Sequence, residues 1–188
     1  MQLESAIKKR RSIRNYSNKK ADWRKILRAL DYARFAPMAG GQFSLKFVLI
    51  SEESKMKILE QASQQKFVGK ASHALIVVSN REKVEKNYDH YRKGFAAQQA
   101  GAAIQNILLG LTDNGLAACW VGFFEESMVK REFNIGDSMT VETVIAIGKE
   151  SNVSSGTKSA LKPDLEAVLF FDKWGKRYME KGTDPIRR

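Results

Sequence analysis

Tyr91-Arg-Lys-Gly-Phe-Ala-Ala-Gln-Gln-Ala-Gly-Ala-Ala-Ile-Gln-Asn-Ile-Leu-Leu-Gly-Leu-Thr-Asp-Asn114 is the stretch that decides the fold. Wound at 3.6 residues per turn, Phe95, Ala96, Ala97, Ala100, Ala103, Ile104, Ile107, Leu108 and Leu111 leave almost no polar side. A helix that is apolar nearly all round belongs inside a fold, not on its surface. Asn114-Gly115 supplies its C-terminal stop.

Outward from this helix, short apolar runs alternate with helical patterns. Lys46-Phe-Val-Leu-Ile-Ser51, Ala74-Leu-Ile-Val-Val-Ser79 and Thr140-Val-Glu-Thr-Val-Ile-Ala-Ile-Gly148 read as buried strands. Leu116 to Phe124 leaves the helix stop and contains Cys119-Trp120-Val121-Gly122. Residues 2–9, the stretch from Asp22 to about Phe35, 53–65 and 128–133 read as helices, with Asp22 as a cap. Pro163 to Phe171 reads as extended, and Ser151 to Thr157 as a polar loop. Three or four strands with one large buried helix predict an α+β fold in a single domain, residues 1–188. Neither G-x-G-x-x-G nor G-x-x-x-x-G-K-[ST] follows any strand, which disfavours a dinucleotide-binding doubly wound sheet.

Composition narrows the function classes. The chain has 188 residues, 43% hydrophobic and 28% charged, an ordinary globular balance. A single cysteine, Cys119, rules out an internal disulfide, and with only His73 and His90 no metal site is expected. No apolar run is long enough to span a bilayer and residues 2–9 are polar at once, so a soluble cytoplasmic protein is expected. Lys plus Arg is 32 against 21 Asp plus Glu, a net charge of +11. Such an excess suits nucleic acid, a membrane surface or anionic small molecules. The charges are interspersed, without the basic stripe and interleaved aromatics that nucleic-acid binding wants.

The densest basic cluster ends in Arg10-Arg11-Ser12-Ile13-Arg14, directly after the first helix. Guanidinium forks and a serine hydroxyl match phosphate oxygens. In extended chain, positions 10, 12 and 14 share one face and make an anion-holding triplet. Pro37-Met38-Ala39-Gly40-Gly41 is a loop of small residues that allows close backbone approach to a flat ligand. Trp120, Val121 and Gly122 offer a ring surface and amides. Cys119 reads as a small buried apolar residue, with no histidine placed to make it a nucleophile.

Taken in order, these segments resemble the FMN-dependent nitroreductase family. Arg10-Arg11-Ser12-Ile13-Arg14 is similar to its Arg-Arg-Ser-x-Arg element, and Ala36-Pro37 through Phe47 to its Ala-Pro-Ser-x-x-Asn-x-Gln-Pro-Trp-x-Phe loop. Gly115-Leu116-Ala-Ala-Cys-Trp120 is similar to its Gly-Leu-x-x-x-Trp, and Lys162-Pro163-Asp-Leu165-Glu166 to its late Lys-Pro-x-Leu-Glu segment. The resemblance implies an antiparallel sheet flanked by helices, and a homodimer with FMN at each subunit interface. It implies that Arg10, Arg11, Ser12 and Arg14 hold the phosphate, ribityl chain and pyrimidine edge. Pro37, Met38, Ala39 and Gly41 would touch the flavin from the partner subunit. Trp120, Val121 and Gly122 would line its ring system. Lys158 or Lys162 would add a late basic contact, and the helix near Gln99 to Ile107 would pack across the dimer axis. The implied activity is ping-pong transfer from NAD(P)H, through the flavin, to an electron-poor small molecule such as a nitroaromatic or quinone. A specialised dehalogenating or flavin-fragmenting reaction is the alternative of the same fold, and a basic nucleic-acid-binding protein the alternative of another class. The chain departs from the family at Met38, where serine is usual, and at Gly41, where asparagine is usual. Phe43-Ser44-Leu45 stands in place of Gln-Pro-Trp.

Overall fold

Four strands pair in the order β1-β2-β4-β3, every neighbour antiparallel: β1 (Leu45–Ile50), β2 (His73–Ser79), β3 (Ala117–Val121) and β4 (Thr140–Gly148). This computed structural model describes residues 2–88, 94–152 and 161–177. The α+β class and the antiparallel sheet expected from the sequence are what the chain adopts. Two compact units divide it, Met1–Ser155 and Gly156–Arg188.

Within the first unit, both faces of the sheet are covered, and the strand sequences say why. In β2, Leu75 and Val77 join one apolar cluster, while Ala74, Ile76 and Val78 join the other. Every residue of β2 is buried, as expected of a central strand without a polar face. In β4, Ile145 and Ile147 take the first face, and Val144 and Ala146 the second. A register shift between Val77 and Val78 marks a bulge against β4.

The first face is covered by α2 (Trp23–Asp31) and α6 (Phe95–Asp113), through Ile26, Ala29, Ala100, Ala103, Ile104, Ile107 and Leu111. Fully buried aliphatic side chains such as Ile104, Ile107 and Leu111 contribute about 1.5–3 kcal/mol each. Asp22 caps α2 as the sequence predicts, accepting from the Arg24 N–H at 3.0 Å. At the far end of α6, Gly115 takes φ +70°, and the Leu116 N–H returns to the Leu111 carbonyl at 2.9 Å. Where α6 crosses α2, Gly110 has no side chain because a Cβ there would stand 2.9 Å from Ala29 Cα.

The second face is covered by α3 (Glu53–Ser63), α4 (Lys66–Lys70) and α7 (Glu126–Glu132), through Met56, Leu59, Ala62, Val68 and Val129. Among the described residues, the remaining α-helices of this unit are α1 (Leu3–Lys9) and α5 (Arg81–Glu85).

The long helix is buried as expected, but not all round. Ala97, Gln98 and Gln105 are exposed, and Gly101 and Ala102 half-buried, along one flank. The expected helical residues 91–93 and loop residues 153–157 lie outside the described residues. One expectation is corrected. In the second unit, the 163–171 stretch is not extended throughout, because α8 occupies Leu165–Val168. Asp164 stands at its N-cap position, the Ala167 N–H reaches the Asp164 carbonyl at 3.0 Å, and Glu166 lies in the first turn. An acidic residue there favours a helical turn over extended chain.

Candidate functional site

After α1 the chain leaves helical geometry at Arg10, with φ −58° and ψ 124°, and runs alongside β3 and β4. β3 is an edge strand and presents unpaired backbone groups. The Ile13 N–H takes one of them, the Ala118 carbonyl, at 2.9 Å. Tyr16 then bridges to Glu150 in antiparallel fashion. The Ser17 N–H bonds the Lys149 carbonyl at 2.8 Å, and the Ser151 N–H bonds the Asn15 carbonyl at 3.1 Å.

This course sorts the basic cluster. Ser12 and Arg14 both come close enough to the Cys119 thiol to act on its charge, while the thiol itself points its hydrogen at the Trp120 carbonyl, 3.7 Å away. Arg11 turns elsewhere, its Nη2 donating to both Glu150 oxygens at 2.7 and 2.9 Å. The Arg14 guanidinium also stacks over the Phe67 ring of α4, 5.7 Å from its centroid. Arg10 is half-buried, and Arg11, Ser12 and Arg14 are exposed. Among the described residues, no carboxylate lies within ion-pair distance of Arg10 or Arg14. Among these residues, the corner therefore carries two guanidinium charges without a carboxylate to balance them.

Below these charges the groups stay neutral. Burial pushes the Cys119 thiol up, against the charge of Arg14 and the hydrogen bonds of Arg14 and Ser12. A buried thiol held in its protonated form is no nucleophile. Burial also pushes the Tyr16 phenol above its ordinary value, with Cys119 adding to the rise.

Immediately beyond lies the end of β3. Val121 is buried, and its carbonyl accepts from Thr143 Oγ1 at 2.8 Å. Trp120 is 40% exposed and Phe123 67% exposed. Between them, an added Cβ on Gly122 would meet nothing within 4 Å. The strand end is an open aromatic shelf beside the arginine segment, both anchored on β3.

The small-residue loop has different moorings. Pro37, Met38 and Gly41 are exposed and Ala39 half-buried. Gly40 has φ +57°, and an added Cβ would stand 3.2 Å from the Tyr88 hydroxyl. The Tyr88 ring in turn packs on Phe95 at 4.7 Å. Gln99 of α6 holds the strand entry, accepting from the Ser44 N–H at 3.0 Å and from Ser44 Oγ at 2.8 Å. Its Nε2 donates to the Gln42 carbonyl at 3.0 Å. The structure thus brings Ser12, Arg14 and the Trp120–Gly122 strand end together on β3, and fastens Pro37 to Gly41 to α6 instead. Lys158 lies outside the described residues, and Lys162 is exposed in the second unit. Among the described residues, no three His, Cys, Asp or Glu side chains group into a metal site.

Sequence reasoning overlooked Phe67, Tyr16 and the polar side of Cys119. Strand alternation carries a signal for Cys119, since it shares the parity of Ala117 and Val121, both in the second core cluster. Nothing local marks Phe67, which reaches Arg14 only through the tertiary fold.

A family model described as Nitroreductase family matches residues 7–72 and 55–149, most of the chain. The chain belongs to the nitroreductase family. It is thus an oxidoreductase by family. A Methanothermobacter thermautotrophicus protein, provisionally named NADH dehydrogenase/NAD(P)H nitroreductase, is 28% identical over 178 residues, covering 93% of this chain and 88% of the relative. A nitroreductase family protein of Clostridium difficile 630 shares the fold at a TM-score of 0.81 and 24% identity, over 92% of this chain and 99% of that one. A second structure from that species, strain R20291, described as an FMN-dependent nitroreductase, aligns at a TM-score of 0.74 and 21% identity, over 90% and 98%. Among the described residues, no helix of this nitroreductase-family chain is long and apolar enough to cross a membrane.

Proposed function

We propose that this chain is a cytoplasmic, FMN-dependent oxidoreductase acting as a homodimer, with NAD(P)H as reductant and an electron-poor small molecule as acceptor. The observation that carries the reading is the seating of the Arg10–Arg14 segment on β3, through the Ile13 N–H on the Ala118 carbonyl at 2.9 Å, beside the open Trp120–Gly122 shelf. The donor set fits the cofactor. Arg10, Ser12 and Arg14 offer guanidinium and hydroxyl donors with no carboxylate competitor among the described residues, which suits a phosphate monoester. The exposed Trp120 and Phe123 rings and the open space at Gly122 suit a planar ring system. Arg11 is engaged by Glu150, so the proposal gives it the lesser part. The FMN-dependent protein of the same fold supports the choice of flavin.

The chemistry that a bound flavin supplies is two-electron transfer from NAD(P)H to an acceptor such as a nitroaromatic or quinone, the two reactants using one site in turn. This chain's own part is to bind and tune. Arg14, fixed between Phe67 and Cys119, stabilises negative charge close by without having to reorganise. Gly41 offers no side-chain donor, so whatever the loop contributes comes from its backbone. No general base is assigned.

The homodimer rests on uncovered apolar surface. Leu3 and Ile7 on α1, Trp23 and Leu27 on α2, and Phe35 and Met38 beyond it are all exposed, and the α6 flank adds exposed Ala97 and half-buried Gly101 and Ala102. A symmetric association covers such a surface and lets the Pro37–Gly41 loop of one subunit serve the other.

The test is direct. Purified protein should be yellow and release FMN on denaturation, and should oxidise NADH or NADPH in the presence of a nitroaromatic or a quinone. Colourless protein that takes up no added FMN would refute the reading.

A further inference from the structure

Tyr16 is buried, yet its hydroxyl does not serve the core. It lies 2.8 Å from the Ile13 carbonyl and 3.1 Å from the Ala146 carbonyl. The first acceptor belongs to the arginine segment and the second to β4. One phenol therefore ties the segment to the sheet at the residue just before Arg14. The ring has room to do so because residue 148 is glycine. A Cβ there would stand 2.7 Å from Tyr16 Cδ1 and 3.1 Å from Cγ. Backbone bonds fix the segment on either side of the phenol contact, at Ile13 to Ala118 and at Ser17 to Lys149.

The consequence reaches the donors. A peptide group is planar and trans, so the Arg14 N–H points opposite to the Ile13 carbonyl. Holding that carbonyl against Tyr16 holds the Arg14 N–H on the other side, where it has no hydrogen-bond partner among the described residues. The same anchorage sets where Ser12 and Arg14 meet Cys119.

We infer that the Tyr16 hydroxyl latches the Arg10–Arg14 segment onto β4 and is a positioning residue for the cofactor phosphate, an inference that rests on the function proposed above. Tyr16→Phe removes only the latch, since the ring keeps its place against Gly148. The half-buried Ile13 carbonyl and the buried Ala146 carbonyl then lose their shared donor.

The experiment uses apoprotein, wild type and Tyr16→Phe, with two probes, FMN and riboflavin, which lacks the phosphate. Hydrogen exchange is followed at the Ile13 and Ser17 amides without flavin. The expected result is FMN affinity lowered about tenfold, the worth of about 1.4 kcal/mol, with riboflavin affinity unchanged and faster exchange at both amides. Equal weakening of FMN and riboflavin overturns the inference, because a general loss of structure touches both. An unchanged preference for FMN over riboflavin overturns it as well, as do unchanged exchange rates. Wild-type protein that itself shows no preference for FMN contradicts the proposed function instead, and the exchange arm, which needs no flavin, still decides the latch.

Discussion

Gln99 of α6 binds Ser44 twice, its Oε1 accepting from both the Ser44 N–H at 3.0 Å and the Ser44 hydroxyl at 2.8 Å. Gln99 is 3% exposed and Ser44 also 3%. A buried amide facing two donors is costly to remove, because the donors stay buried without an acceptor. Gln99→Leu should lower stability by about 2–3 kcal/mol in urea denaturation. It should also loosen the Pro37–Gly41 loop that Gln99 steadies through the Gln42 carbonyl. A loss under about half a kcal/mol would mean that water or another group takes over the pairing.

The crossing of α2 and α6 makes a steric prediction. Beyond Ala29 Cα at 2.9 Å, a Cβ on Gly110 would meet Tyr32 Cδ2 at 2.7 Å. Tyr32 is exposed and its ring can swing aside, but the Ala29 backbone cannot. Gly110→Ala removes a helix-weakening glycine, worth about 1 kcal/mol in its favour. Overpacking of a tight core costs about 1–3 kcal/mol and should win. Thermal unfolding should therefore show a lower midpoint; an unchanged or higher one would mean that the helices separate freely.

A third prediction concerns pH. His73 is buried, with Nδ1 3.0 Å from Ser72 Oγ. Burial holds its pKa below the ordinary 6.5, and the charge of Lys20 pushes the same way. The unfolded chain thus takes up a proton that the folded chain refuses. Stability from this group is complete above about pH 6.5 and is lost as the pH falls towards the depressed folded value. In urea denaturation at about pH 7.5 and about pH 5.5, wild type should lose more stability than His73→Gln. Equal slopes would remove His73 as the cause.

Arg11 and Arg14 should part company. Both members of the Arg11–Glu150 pair are about half exposed, and such pairs contribute about 0–1 kcal/mol. Arg11→Ala should change stability within that range and weaken FMN binding far less than Arg14→Ala. An Arg11→Ala effect on FMN as large as that of Arg14→Ala would show that Arg11 leaves Glu150 for the phosphate.

What was legible in the sequence follows from what is local. The 95–113 helix announces itself through composition and its Asn-Gly stop, and the 74–79 and 140–148 strands through unbroken apolar runs. Asp22 reads as a cap because a cap is a matter of two residues. α4 and α5 escape notice because five residues, two of them charged in α4 and four in α5, are too few to carry a period. The site divides the same way. Ser12 and Arg14 share a face by strand alternation, which sequence shows. Their meeting with Cys119 and Phe67, the diversion of Arg11 to Glu150 and the grip of Gln99 on Ser44 depend on pairings between distant segments. No local signal encodes these.

The central claim is that the Arg10–Arg14 segment, with Arg14 held beside Phe67 and close to Cys119, binds and tunes a flavin mononucleotide. Equilibrium titration of apoprotein with FMN, in wild type and Arg14→Ala, tests it most directly. A charge-assisted contact contributes about 1.5–3 kcal/mol, so the affinity should fall by about tenfold to a hundredfold. FMN bound equally well by both proteins, or by neither, would contradict the account.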